Sequence, residues 1–138
     1  MTYREITAWF TLGCMVVAYS LYFALIAARP QGNMFDIIVL FGSITAVQAV
    51  IVIIGTIVLA ARTTPLARVS DERDRAIARR SGSIAYYVLL TGMILVGVVM
   101  PFTETPWKIV NTALLALVIA ETVRYVIIVT SYRRGWHG

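Results

Sequence analysis

Four apolar runs, at about residues 8–28, 37–61, 84–100 and 109–131, constrain this chain more than any other feature. A helix rises roughly 1.5 Å per residue, so about 20 apolar residues match the hydrocarbon core of a bilayer. With 59% hydrophobic residues among 138, too few polar side chains remain to cover such runs in water. The expected fold is all-α, a polytopic membrane protein built as a four-transmembrane-helix bundle. It forms a single transmembrane domain, 1–138, with a cytoplasmic helical extension before the third span. The first run is longer than the roughly 7–15 residues of a signal-peptide core, and no small-residue cleavage site precedes Arg29-Pro30. It is therefore expected to stay as a span.

The connections carry the charge. Arg29-Pro30-Gln31-Gly32-Asn33 reads as a turn that ends the first helix. Residues 62–83 hold six arginines and three acids. Ser70 is a candidate N-cap there, and Asp71 and Glu72 suit the first turn of a helix dipole. Asp71–Arg75 and Glu72–Arg75 have helical pair spacing. These features predict a basic cytoplasmic helix over 71–83 that runs on into the third span. That span ends at Pro101, and Tyr86, Tyr87 and Trp107 are expected near membrane interfaces. Arg4, the six arginines of 62–83, Arg133 and Arg134 put nine basic residues on one side; Arg29 and Lys108 put two on the other. By the positive-inside rule both termini are cytoplasmic. The net charge of +5 thus reads as a topology signal, and nucleic acid is not an expected partner. The lipid bilayer is. Arg73, Arg75, Arg79 and Arg80 are candidates to bind anionic lipid headgroups or an acidic partner.

The fourth run breaks the apolar rule. Glu121 lies twelve residues from Arg133 and thirteen from Lys108, with Arg124 three residues on. An ionisable group at mid-bilayer costs about 2.5–3.5 kcal/mol on insertion scales, so it usually faces protein or water. Two readings stay open. Glu121 and Arg124 neutralise each other as a structural pair, or Glu121 binds a proton or cation with an affinity set by Arg124. Gln48, twelve residues from Asp36 and fourteen from Arg62, sits at similar depth in the second run. With Thr91 it completes a candidate intramembrane polar site: Glu121, Arg124, Gln48 and Thr91.

Small residues mark candidate helix contacts. Gly42, Ala46 and Ala49 recur at spacings of four and three, which permits close approach, and Gly92 and Gly97 offer similar positions in the third run. No Gly-rich phosphate loop and no nucleophile–base–acid set occurs. Cys14 is the single cysteine and His137, near the C-terminus, the single histidine, so neither a metal site nor a cofactor is expected. The chain reads as a non-enzymatic membrane protein that works by helix–helix assembly, with itself as a homo-oligomer or with a membrane partner protein. The alternative is a small proton- or cation-coupled transporter or channel using Glu121 and Arg124.

The string DERDRAIARRSGSIAYY entering the third run, with YRRGW after the fourth, resembles small prokaryotic four-helix membrane proteins catalogued as a domain-of-unknown-function family. Asp71-Glu72-Arg73 and Tyr132-Arg133-Arg134-Gly135 carry the resemblance. It implies a polytopic protein of a prokaryotic cytoplasmic (inner) membrane, considered in connection with regulation, and it transfers no catalytic residues. Small multidrug transporters place their essential glutamate in the first helix, unlike this chain. The Arg/Asn/Glu motif of membrane glutathione enzymes does not occur.

Overall fold

The computed structural model describes residues 2–29, 33–65 and 69–135. These form four long helices: α1 over Tyr3–Ala27, α2 over Met34–Ala61, α3 over Glu72–Ile94 and α4 over Pro106–Arg133. No strand occurs among the described residues. All four helices are long and apolar enough to cross a membrane. Most of the expected turn at Arg29–Asn33, residues 66–68 of the basic connection, and Trp136 and His137 of the tail lie outside the described residues.

Each helix begins before the apolar run that announced it, and side-chain caps start two of the four, α1 and α3. Thr2 accepts a hydrogen bond from the Glu5 N–H at 3.3 Å to start α1, and Pro106 enters α4 in its first turn. The α3 helix begins one residue later than a Ser70 cap implies. Asp71 is the N-cap: its carboxylate accepts from the Glu72 N–H at 2.7 Å, while the Asp74 carboxylate accepts from the Asp71 N–H at 3.2 Å. This reciprocal box satisfies two end groups at once, which a Ser70 hydroxyl alone does not. Asp71 and Glu72 make no ion pair with Arg75 among the described residues; their first-turn positions act on backbone N–H groups and the helix dipole instead. As expected, α3 carries the basic segment into the apolar run without a break. It then widens to a π-helical turn at Leu95–Val99 and closes as a 3₁₀ turn at Met100–Phe102. Pro101 lacks an N–H and its ring crowds the carbonyl four residues back, so regular α geometry cannot run through it.

The helices stand in the order α2, α1, α4, α3, with α1 and α4 as the central pair and only a light contact between α2 and α4. Neighbours are antiparallel. Phe10 of α1 meets Gly55 of α2, Tyr22 of α1 meets Asn111 of α4, and Gly92 of α3 meets Ala116 of α4. The start of α1, the end of α4 and the α2–α3 connection therefore share one end of the bundle. Two small residues make the tightest approaches. A Cβ on Gly92 would lie 2.7 Å from the Ala116 Cβ, and one on Gly55 would lie 2.3 Å from the Phe10 ring.

Gly42, Ala46 and Ala49 are used differently from an in-chain contact. They lie on the exposed face of α2, and a Cβ on Gly42 would meet nothing within 4 Å. The face of α2 that packs on α1 lies about 100° round the helix from this stripe and includes Phe41, which stacks on Tyr19 with ring centroids 5.7 Å apart. Of α2, Ile37 alone is buried among the described residues. The partly polar stripe Thr45, Gln48, Val52 and Gly55 lies on the less exposed side toward α1, and large apolar residues cover most of the remaining circumference.

Candidate functional site

At the end of the bundle that holds the termini, three helices converge on one carboxylate. Asp74 occupies the third position of α3, where the cap geometry turns its side chain back toward the helix start. Arg4, in the first turn of α1, reaches it with Nε 3.1 Å from Oδ2. Tyr132, in the last turn of α4, donates its hydroxyl to Oδ1 at 2.5 Å. With the Asp71 N–H also donating, both carboxylate oxygens are satisfied, and the Asp74 side chain is only 14% exposed. Charge-assisted bonds of this kind are short and strong. Arg73 lies over the Tyr132 ring, 5.8 Å from its centroid, and Arg133 lies over the Trp9 ring at 5.1 Å, so cation–π contacts brace the same end.

Beneath this latch lies a cavity of about 340 Å³ between α1, α3 and α4. Tyr3, Thr7 and Thr11 line its α1 wall, Ile77 its α3 wall, and Tyr125 and Ile128 its α4 wall. The two threonine hydroxyls donate to carbonyls one turn back, at 2.9 Å each, and Tyr3 donates to the Thr56 carbonyl at 3.5 Å. The charged residues of the lining, Arg4 and Asp74, are paired with each other.

Glu121 and Arg124 do come together, with Oε2 and Nη1 3.7 Å apart. Their side chains are 42% and 44% exposed respectively. Glu121, Tyr125, Ile128 and Tyr132 follow the four-three-four spacing of a single helix face, which sets the pair one turn beyond the cavity wall. Gln48 and Thr91 stand elsewhere. Gln48 lines an apolar groove of about 690 Å³ between α1 and α2, together with Trp9, Phe10, Cys14 and Ser43, and its buried Oε1 has no hydrogen-bond partner. Thr91 lies on an exposed face of α3 and donates to the Tyr87 carbonyl at 2.9 Å. Among the described residues no hydrogen bond or ion pair links either to Glu121 or Arg124, so the four residues do not form one polar layer. Glu121 and Arg124 share one surface of α4, while Gln48 and Thr91 belong to α2 and α3.

The four arginines of α3 also separate. Arg73 turns in toward Tyr132, and Arg80 shares its side of the helix, seven residues on. Arg75 and Arg79, four apart, are exposed on another side.

Arg4, Asp74 and Tyr132 escape a linear reading because they lie far apart in sequence and each has an ordinary local explanation. The local signal present is the Asp71–Asp74 spacing of a capping box. A second polar fastener, at the far end, is also missed. Fully buried Tyr22 donates to Asn111 Oδ1 at 2.8 Å, and Asn111 Nδ2 donates to the Trp107 carbonyl at 3.3 Å. A lone amide inside an apolar run is the signal that marks Asn111. No cluster of His, Cys, Asp and Glu suited to a metal occurs among the described residues. Compared with protein-family models, with curated proteins and with solved structures, the chain finds no match.

Proposed function

We propose that this chain is an integral membrane protein acting without catalysis, by helix–helix assembly with a second copy of itself. Its termini and the α2–α3 connection face the cytoplasm in this reading, on the nine-to-two division of basic residues. Large apolar side chains cover its outside: Phe35, Ile38, Ile53, Ile54 and Ile57 of α2 are each more than half exposed. In water such a surface associates or aggregates, whereas hydrocarbon solvates it. One observation carries the assembly reading. The small stripe Gly42, Ala46, Ala49 faces outward with nothing against it, although the chain uses a small-on-small contact, Gly92 on Ala116, to bring α3 and α4 together.

Gly42→Leu with Ala46→Leu tests this, because a Cβ at Gly42 meets nothing within 4 Å and both positions are exposed, so the fold is expected to survive. Dimerisation measured by energy transfer between labelled copies in liposomes is expected to weaken about tenfold or more as the close approach is blocked. An unchanged oligomer distribution removes this interface. Topology is checked separately by thiol labelling of intact cells. Asn33→Cys is expected to react from outside and Ser70→Cys to stay protected; the reverse pattern overturns the orientation.

The Glu121 face favours a second reading, proton- or cation-coupled transport, since Glu121 continues the helix face that lines the 340 Å³ cavity. Glu121→Gln keeps shape and removes titration. Under transport, proton or cation flux into liposomes is expected to fall to background with the protein still stable. Under a structural role, Glu121→Gln destabilises the bundle by about 1 kcal/mol, discounted for the partial exposure of the pair, and Glu121→Gln with Arg124→Gln restores it.

A further inference from the structure

The ends of α3 and α4 leave a groove of about 300 Å³, lined by Arg80 and Ile84 of α3, by Ile127, Thr130 and Ser131 of α4, and by Arg134 just after it. Its composition is divided. Two guanidinium groups, one from each wall, stand at the end that holds the termini. Ile84 and Ile127 lie further along the helices, toward the middle of the bundle. Thr130 is committed to its own helix, donating to the Val126 and Ile127 carbonyls at 2.8 and 3.1 Å. Ser131 is not. Its residue is 6% exposed, it lines the groove, and its hydroxyl has no hydrogen-bond partner among the described residues. Ser43 and Ser81, by contrast, donate to carbonyls of their own helices.

We infer that this groove is a binding site for the phosphate of an anionic phospholipid, with its acyl chain lying along Ile84 and Ile127. The inference rests on the membrane placement proposed above. Arginine favours phosphate because its planar fork presents paired N–H donors, and basic groups beside spans attract anionic headgroups. Ser131 supplies a further donor at the floor. The isoleucines distinguish a lipid from a free phosphate, since a soluble anion gains nothing from an apolar extension of the site. Within the arginines of the basic segment, the site selects Arg80, on the α4 side of the helix, and pairs it with Arg134. Arg75 and Arg79, on another side, have no part in it.

The full chain, delipidated in a neutral detergent, is titrated with phosphatidylglycerol and with phosphatidylcholine of identical acyl chains, and bound lipid is counted by native mass spectrometry. Phosphatidylglycerol is expected to bind about 30-fold more tightly, the ratio for two basic groups acting on one headgroup. Arg80→Gln with Arg134→Gln is expected to bring the two lipids to near parity, while Arg75→Gln with Arg79→Gln keeps most of the preference. Arg80→Lys with Arg134→Lys, which retains the charges and loses the fork, is expected to fall between. Equal binding of both lipids by the unaltered protein overturns the site. So does an equal loss in the Arg75 and Arg79 variant, which reports diffuse attraction only. Inorganic phosphate or glycerol phosphate that displaces the lipid at millimolar concentration overturns the lipid assignment in favour of a soluble anion. Failure of the membrane placement looks different: alkaline carbonate then strips the protein from cell membranes, whereas a failed lipid site leaves it embedded.

Discussion

Asp74→Leu is expected to destabilise the bundle by about 2–4 kcal/mol, the sum of a lost hydrogen bond to a charged group, a lost ion pair and a weakened cap. One substitution removes the acceptor for Tyr132, the partner of Arg4 and the back half of the α3 capping box, so three helices lose their common tie. The Arg4 contribution is the smallest, because that side chain is 41% exposed and solvent screens it. Asp74→Asn keeps an oxygen for Tyr132 and costs about half as much. Denaturant unfolding in mild detergent measures the loss. A cycle with Tyr132→Phe is expected to show coupling of about 1 kcal/mol or more across the 2.5 Å bond. If Asp74→Leu unfolds within about 0.5 kcal/mol of the unaltered protein, the range of an ordinary surface substitution, the latch is not what holds this end together.

Gly92→Ala adds one methyl group where there is no space for it. The new Cβ would lie 2.7 Å from the Ala116 Cβ, which is fixed to the α4 backbone and cannot rotate away. Relief requires α3 and α4 to separate, and overpacking of this kind costs about 1–3 kcal/mol. A larger side chain such as Leu is expected to cost more. Ala116→Gly in the Gly92→Ala background clears the clash and is expected to recover most of the stability, which a general helix-propensity effect does not predict. Gly55→Ala is expected to be milder despite its shorter distance, because its neighbour is the tip of the Phe10 ring, which can swing. If Gly92→Ala is neutral, α3 and α4 are not in close contact at Gly92 and Ala116.

The two substitutions also divide what is legible in the chain from what is not. Gly92 is a visible small position in an apolar run, and its use at a contact follows a general preference. Gly42 looks the same in sequence and lies on the outside. Nothing local separates them. Asp74 reads as one more charge in a basic helix, and its role depends on Arg4 and Tyr132, seventy and fifty-eight residues away. Glu121 and Arg124, only three residues apart, are readable as a pair because helical spacing alone brings them together. Their expected companions Gln48 and Thr91 are not readable in the same way, since similar depth in two helices does not bring two side chains to one place.

Length, hydropathy and the placement of proline, glycine and arginine determined four long helices, the continuation of the basic segment into α3 and its end near Pro101. All of these follow from interactions within about one helical turn, or from counting residues against a fixed rise. The order of the helices, the rotation of each about its axis and the choice of Asp74 as a three-helix tie were decided only by tertiary packing. The physical reason is plainest in α2. Its weak polar stripe, Thr45 and Gln48, marks only roughly the side toward α1, so the shapes of its neighbours, here Phe10 against Gly55 and Tyr19 against Phe41, decide which small residues make contact and which, like Gly42, stay outside.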